Sequence, residues 1–141
     1  MRIYRFLIIA LLFAFASCGN NNGLTERVIT TYGNGNPAKV QFFDKNDQCV
    51  HEVNYYDNGA LYMEGDMKDG LREGEWVSYF LDGKVQSTGF FEKDLRTGKS
   101  LVYHENGNLW MDGYYKDGKQ VGLWIYYDEQ GYETFRIDRG E

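Results

Sequence analysis

The sequence predicts an all-β fold, an elongated single-layer meander of stacked β-hairpins that is open and curved. Two observations lead to this prediction. Glycines recur with a period of 24 residues, and short aromatic and β-branched runs recur between them. Beyond the N-terminal segment no apolar pattern with a 3.6-residue period is sustained, and the chain has a single proline, so helices have little support.

The repeat is visible in several independent series of residues. Three series of glycines share the period: Gly59, Gly83, Gly107 and Gly131; Gly65, Gly89 and Gly113; Gly74, Gly98 and Gly122. The same spacing aligns Tyr55, Tyr79, Tyr103 and Tyr127, and also Val53, Val77, Leu101 and Ile125. A period of this length is typical of stacked repeats. The repeat domain is predicted over 28–141, with a degenerate first repeat at about 28–49 that has lost its glycines.

Each repeat contains two runs that resemble strands. The first run, such as 75–80, is short and rich in aromatic and β-branched residues, and a turn containing Gly83 closes it. The second run, such as 108–116, ends at Asp117-Gly118, a dipeptide suited to the positive φ angles of a tight hairpin turn. These runs predict about eight or nine strands.

Alternation of side chains along each strand predicts two different faces. One face keeps its apolar and aromatic residues from repeat to repeat and is expected to pack, and Gly65, Gly89 and Gly113 are assigned to it. The other face varies and carries the candidate partner-binding residues Tyr56, Tyr62, Trp76, Phe80, Phe90, Trp110, Tyr114, Trp124 and Tyr126. Exposed aromatic residues in such numbers indicate a contact surface. The alternative is that these rings cover one another or a second layer.

The N-terminal segment, 1–17, is predicted to be a lipoprotein signal peptide. Arg2 and Arg5 precede an apolar run at 6–16, which is shorter than the roughly 20 residues of a spanning helix but fits a secretory signal. The stretch FASC, which ends at Cys18, resembles a bacterial lipobox, although phenylalanine stands where leucine is usual. An ordinary cleaved signal and an uncleaved anchor are the alternatives.

The lipobox resemblance implies that Cys18 is lipidated and anchors the chain to the bacterial cell envelope. The segment 18–27 is then the lipidated cysteine followed by a flexible polar tether. Gly19, in place of an acidic residue beside the cysteine, favours the outer membrane. Which face of that membrane the domain occupies does not follow from the sequence.

Composition narrows the classes of ligand. The formal net charge is −6, which disfavours nucleic acids and anionic lipid headgroups because both attract basic segments. A protein partner or plain solubility fits better. With lipidation of Cys18, Cys49 remains alone and cannot form an intramolecular disulfide. His51 and His104 are too isolated to predict a metal site, and no cofactor is predicted.

The sequence does not favour an enzyme. No nucleophile with a positioned base emerges from its two histidines. Asp66 with Glu75, or Asp112 with Asp128, could be considered as a carboxylate pair for sugar hydrolysis. Acidic residues in turns and exposed strands are common without any such role.

The repeats resemble a known family. The segment GYYKDGKQVG, 113–122, has a glycine, aromatic, glycine and glycine at the spacing of a MORN repeat core. The segment 65–74 reproduces this spacing, and 89–98 departs from it by having Asp94 in place of the third glycine. The continuation G-x-W-x-x-Y after Gly74 and Gly122 resembles the bacterial variant of these repeats, whereas the unit after Gly98 has lost the tryptophan.

The resemblance implies a row of β-hairpins used for binding or scaffolding. Bacterial members of this kind are often labelled antitoxin components of the YwqK type, in which the acidic repeat domain would bind and neutralise a toxin. We therefore expect a membrane-anchored protein-binding module, and an antitoxin-like or immunity-like role is one form that this binding could take. The alternative is a structural envelope scaffold lipoprotein without a discrete ligand.

Overall fold

The computed structural model describes residues 23–141, which form one antiparallel sheet of ten strands. Spatial order equals chain order, so each strand pairs with the next and the sheet does not close. The strands are β1 (Thr25–Thr31), β2 (Pro37–Phe43), β3 (Cys49–Tyr55), β4 (Leu61–Lys68), β5 (Leu71–Tyr79), β6 (Val85–Glu92), β7 (Leu95–Tyr103), β8 (Leu109–Lys116), β9 (Lys119–Tyr127) and β10 (Glu133–Asp138). The predicted all-β meander of hairpins in one open layer is confirmed.

The edges of the sheet differ from the prediction. The expected count of eight or nine strands is too low, because β1 and β10 flank the eight strands between them. Strand β1 begins at Thr25, inside the segment 18–27 that was predicted to be a tether. The predicted signal peptide, 1–17, and lipidation at Cys18 lie outside the described residues. Between residues 23 and 141 no helix is long and apolar enough to cross a membrane.

Tight two-residue turns connect the hairpins at one end of the sheet. Asp117 and Gly118 have φ values of 49° and 79°, and Asp69 and Gly70 have values of 53° and 78°. Positive φ at both central residues is the mark of a type I′ turn, whose twist matches that of the strands it joins. The turn predicted at Asp117-Gly118 is confirmed.

Longer loops at the other end of the sheet are tied to the next repeat. The hydroxyl of Tyr32 donates to the carbonyl of Tyr55 (2.7 Å), and the hydroxyl of Tyr56 donates to that of Tyr79 (2.9 Å). His104 Nε2 lies 3.0 Å from the carbonyl oxygen of Tyr127 and therefore donates to it, because a carbonyl only accepts. These contacts join residues 23 apart in sequence and fix each loop against its neighbour.

Glycine and tryptophan face each other on adjacent strands in the centre of the sheet. Trp76 is the register partner of both Gly65 and Gly89. A Cβ atom built on Gly65 would lie 2.4 Å from the Trp76 ring, and one built on Gly113 would lie 2.3 Å from Trp124. Each indole therefore lies directly on glycine backbone. The side of the sheet that carries Gly65, Trp76, Gly89, Ser100, Gly113 and Trp124 is called the tryptophan face below.

This register corrects the predicted assignment of the glycines. Directly paired residues project to the same side of a sheet, so Gly65, Gly89 and Gly113 lie with the tryptophans and not on the other side. The cause is a β-bulge, one unpaired residue near the start of the second strand of the repeat. Ser78 pairs with Ser87 and Tyr79 with Val85, which leaves Gln86 unpaired and shifts the alternation by one residue.

The opposite face is built on aliphatic residues and tyrosines. Val40 and Val53 are paired and buried, and Val77 continues the row on β5. The Tyr79 hydroxyl donates to Glu64 Oε1 at 2.8 Å. Partial burial, and then this bond to a carboxylate, raise the pKa of Tyr79 to about 12. The packing predicted for Val53, Val77 and Tyr79 on one face agrees with this arrangement.

Replacement of Gly113 by alanine tests the contact between glycine and indole. The new methyl group would overlap the Trp124 ring, and we expect the free energy of unfolding to fall by about 1 to 3 kcal/mol. Gly89 is the matched control, because the nearest side-chain atom to its Cβ position lies 3.8 Å away. Gly89→Ala should cause no loss and gain up to about 1 kcal/mol. Equal losses in urea unfolding of both variants would contradict the role assigned to the tryptophan.

Candidate functional site

The nine aromatic residues predicted to bind a partner do not form one surface. Trp76 and Trp124 are only 4% and 0% exposed. Each indole N–H is also satisfied internally, since Trp76 Nε1 donates to the carbonyl of Asp66 and Trp124 Nε1 to that of Val121, both at 3.1 Å. The prediction that these two rings contact a partner is wrong, because the missing side chains of the facing glycines let the rings sink into the fold.

Phe90 and Tyr114 lie on the opposite face. Phe90 is paired with Glu75, and Tyr114 is paired with Lys99, whose ammonium group lies 5.6 Å from the tyrosine ring centroid. Both rings are exposed. They were assigned to the side of Trp76, but the bulge shift that places Gly89 on the tryptophan face places Phe90 on the other. They therefore cannot share a continuous contact surface with the remaining candidates.

The other five candidates gather on the tryptophan face, close to the longer loops. Tyr56 and Tyr62 contact each other with ring centroids 4.9 Å apart. Trp110 contacts Tyr126 edge to face at 6.4 Å. Phe80 lies between these two pairs along the chain and lines the groove described next. Sequence reasoning missed Phe135, an exposed ring on β10 that extends the second pair at 5.6 Å from Tyr126.

β-bulges aim two of these rings. Tyr62 is unpaired between the pairs Asn54–Met63 and Tyr55–Leu61, and Trp110 is unpaired between Val102–Met111 and Tyr103–Leu109. Gln86 holds the equivalent position in the repeat between them. A bulged residue leaves the regular alternation and is often used to direct a side chain at a binding site. The exposed fraction of Trp110 is 43%, which is large for an indole.

An open groove of about 590 Å³ crosses the tryptophan face between the two aromatic pairs. Its lining includes Phe80, Gln86, Ser87, Arg96, Val102 and Trp110. A recess of about 200 Å³ shares Gln86, Ser87 and Arg96 with the groove and reaches Trp76. A further hollow of about 380 Å³ shares Phe80 and Gln86 and ends at Tyr56. These spaces form one channel over the middle of the sheet.

Small residues in the middle repeat create this channel. Ser100 stands where the neighbouring repeats have Trp76 and Trp124. Ser87 likewise stands where they have Met63 and Met111, and Gln86 where they have Tyr62 and Trp110. The sequence shows that serine replaces tryptophan at position 100. That this replacement opens a channel follows only from the register, which places Ser87 and Gln86 beside Ser100.

Two polar groups, one lining the channel and one buried beneath it, lack a conventional hydrogen-bond or ionic partner within the described part of the chain. The Arg96 guanidinium carbon lies 5.4 Å from the Phe91 ring centroid and 5.3 Å from that of Tyr115, so two rings flank the cation. Ser100 is 1% exposed, and its Oγ has no hydrogen-bond partner among the described residues. Arg96 Nη1 and Ser100 Oγ lie 3.9 Å and 3.8 Å from the Cβ position of Gly89, which places both donors above that glycine.

The arrangement is suited to binding. Among residues 23–141 no group of three or more His, Cys, Asp or Glu side chains could hold a metal ion. His51 Nδ1 lies 2.9 Å from Asp66 Oδ1 and Lys99 Nζ lies 3.2 Å from Asp112 Oδ2, so one carboxylate of each pair considered above has a side-chain partner on the sheet. Burial raises the pKa of the Cys49 thiol, which disfavours the reactive thiolate. The channel instead offers ring faces, an amide and a guanidinium.

Two segments of the chain match a known protein family. A family described as MORN repeat variant matches residues 72–93 and 96–117. These two segments are therefore similar to MORN repeats. The first matched segment spans most of β5 and β6 and the second most of β7 and β8, so each matched segment is two adjacent strands joined by a longer loop. No curated protein matches the chain.

Replacement of Ser100 by alanine tests its unpaired hydroxyl. A buried hydroxyl without a partner costs about 1 to 3 kcal/mol, and we expect Ser100→Ala to raise the free energy of unfolding by about 1 kcal/mol. Ser78 is the matched control, because this buried serine bonds to Ser87 Oγ at 2.7 Å. Ser78→Ala should lower stability. A loss of stability in Ser100→Ala, measured by urea unfolding, would show that the hydroxyl is satisfied.

Proposed function

We propose that this chain is a protein-binding module whose partner lies in the channel of the tryptophan face. The observation that carries the proposal is the exposed Trp110 beside an open groove of about 590 Å³. Tryptophan and tyrosine are enriched in protein interfaces, and a few such residues usually supply most of the binding energy. Binding to proteins or membranes is the general property of MORN repeats, and the groove supplies a place for it here.

Charge favours a protein over a lipid surface as the partner. The chain has 21 acidic and 15 basic side chains. Glu105 and Glu129 line the loop side of the groove and add negative charge there. Anionic lipid headgroups attract basic clusters, so this border would repel them. A peptide segment has no such requirement and can place apolar side chains against Phe80 and Trp110.

The proposal includes a membrane anchor. Residues 1–17 act as a signal peptide, and lipidated Cys18 holds the domain at the bacterial cell envelope, on the outer membrane. Each buried methylene of an acyl chain contributes about 0.8 kcal/mol, so several chains together give stable attachment. An immunity-like role follows within this setting, in which the domain binds and neutralises a toxin that acts in the envelope.

A structural scaffold is the second candidate. The observation that favours it is the exposed edge strand β1, whose seven residues are all exposed. An open edge can pair with a strand of another chain and extend the sheet. In this case the channel would have no specific occupant. The integrity of the envelope would depend instead on the length of the sheet and on its attachment to the membrane.

Substitution of Cys18 by serine tests the anchor. A hydroxyl cannot accept the thioether-linked lipid, and we expect the variant to lose incorporated fatty acid and to move from the membrane fraction to the soluble fraction. Substitution of the half-buried Cys49 by serine is the control and should stay in the membrane. Membrane association of the Cys18 variant without incorporated lipid would indicate an uncleaved anchor instead.

Substitution of Trp110 by alanine tests the binding function. Crosslinking in native membranes, followed by mass spectrometry, should recover a defined protein with the natural chain and about tenfold less of it with Trp110→Ala. Tyr114→Ala is the control, because that ring is equally exposed but lies on the opposite face. A scaffold predicts equal recovery with both variants and changed envelope integrity on deletion of the whole chain, and that result would contradict the binding proposal.

A further inference from the structure

Arg72 and Arg96 occupy equivalent positions in successive repeats and have nearly the same backbone contacts. The amide of Asp94 donates to the carbonyl of Arg72 at 3.0 Å, and the amide of Gly118 donates to the carbonyl of Arg96 at 2.8 Å. Asp94 and Gly118 are 24 residues apart and both have positive φ, 68° and 79°. The two arginines can therefore be compared directly.

Their side chains differ in whether they have an acidic partner. Arg72 Nε donates to Asp94 Oδ1 at 2.9 Å, and this bond holds the pKa of Asp94 below its usual range. Gly118 has no carboxylate to offer to Arg96. Among the described residues no carboxylate oxygen lies within 4.0 Å of the Arg96 guanidinium. Although the chain has more acidic than basic side chains, this repeat keeps the arginine, Arg96, and lacks the aspartate that pairs with Arg72 in the repeat before it.

The unpaired guanidinium is exposed and lies in the channel. It lines both the groove and the recess, and the rings of Phe91 and Tyr115 hold it from two sides. Beneath it lies Ser100, whose buried Oγ is a second polar group without a partner. A planar guanidinium restrained in this way loses little freedom when it binds a carboxylate through two parallel hydrogen bonds.

We propose that Arg96 is the anchor for a carboxylate of a partner peptide, and that a large apolar side chain next to this carboxylate lies against Phe80 and Trp110. The inference rests on the proposed binding function and adds the chemistry of the occupant. Glu105 and Glu129 at the loop side of the groove disfavour a second carboxylate there, so the acidic end of the peptide lies at Arg96. The peptide takes the place of the missing Asp94 equivalent in this repeat.

The probe is an N-acetylated glycine-rich peptide that ends in tryptophan with a free C-terminal carboxylate. The same peptide as its C-terminal amide is the matched probe, since it differs only in charge at that end. Titrations followed by two-dimensional NMR would report on the indole N–H of Trp110 and the Nε–H of Arg96. We expect a dissociation constant on the order of 1 mM for the free acid and at least about tenfold weaker binding for the amide.

Gly118→Asp supplies the missing internal partner without removing Arg96. Asp94 already shows that aspartate adopts positive φ at this position of the repeat, and the nearest atom to a Cβ on Gly118 is a Leu95 methyl at an ordinary 3.6 Å. We expect this variant to fold and to bind the free acid at least about tenfold more weakly. Gly70→Asp is the control, because it adds the same charge at the equivalent turn two repeats earlier, where Gln48 stands in place of the arginine. Gly70 has a φ of 78° and no atom within 4 Å of its Cβ position, so this variant should also fold and should leave the shift of Trp110 unchanged.

Several results would overturn the proposal. Equal binding of the acid and the amide, or full binding by folded Gly118→Asp, would show that Arg96 anchors no carboxylate. Binding of indole-3-acetate as tight as that of the peptide acid would indicate a free small acid as the occupant. If crosslinking to a partner requires Trp110 but not Arg96, this inference is contradicted and the protein-binding function stays in place. If crosslinking requires neither residue, the proposed binding function is contradicted as well.

Discussion

The close packing of tryptophan on glycine is the constraint on which the rest of this sheet depends. A single-layer sheet has no second layer to cover its apolar side chains, so these side chains must be covered by residues of neighbouring strands on the same face. Trp76 and Trp124 do this by lying on Gly65 and Gly113, where any Cβ would overlap the ring. Replacement of a buried tryptophan by alanine typically costs about 3 to 5 kcal/mol. Two such sites on either side of the middle repeat leave that repeat free to carry small residues and a groove.

The sequence was sufficient to predict the architecture, because the 24-residue period and the Asp-Gly turns are local signals. It was not sufficient to assign the faces. One unpaired residue such as Gln86 reverses the alternation of everything that follows on its strand, and nothing in the local sequence marks it. For this reason Phe90 and Tyr114 were placed with Trp76, although the register separates them.

The candidate site could be predicted only in part for the same reason. The aromatic residues Tyr62 and Trp110 were identified, and the structure places both beside the channel. The groove itself arises from what the middle repeat lacks, at Ser87 and Ser100. Small side chains leave a groove only where the strand register places them next to one another. The unpaired Arg96 likewise becomes visible only when Gly118 is compared with Asp94 one repeat earlier.

The meander makes each strand depend on its immediate neighbours alone, since contacts follow the order of the chain. Folding of one hairpin therefore requires little from distant repeats, and the channel is built by a few neighbouring units of the array. Exchange of serine for tryptophan at position 100, together with the reverse change in an adjacent unit, would move the channel sideways by a whole repeat. Such an array can acquire new specificity by redistributing a few side chains among its units while its backbone stays the same.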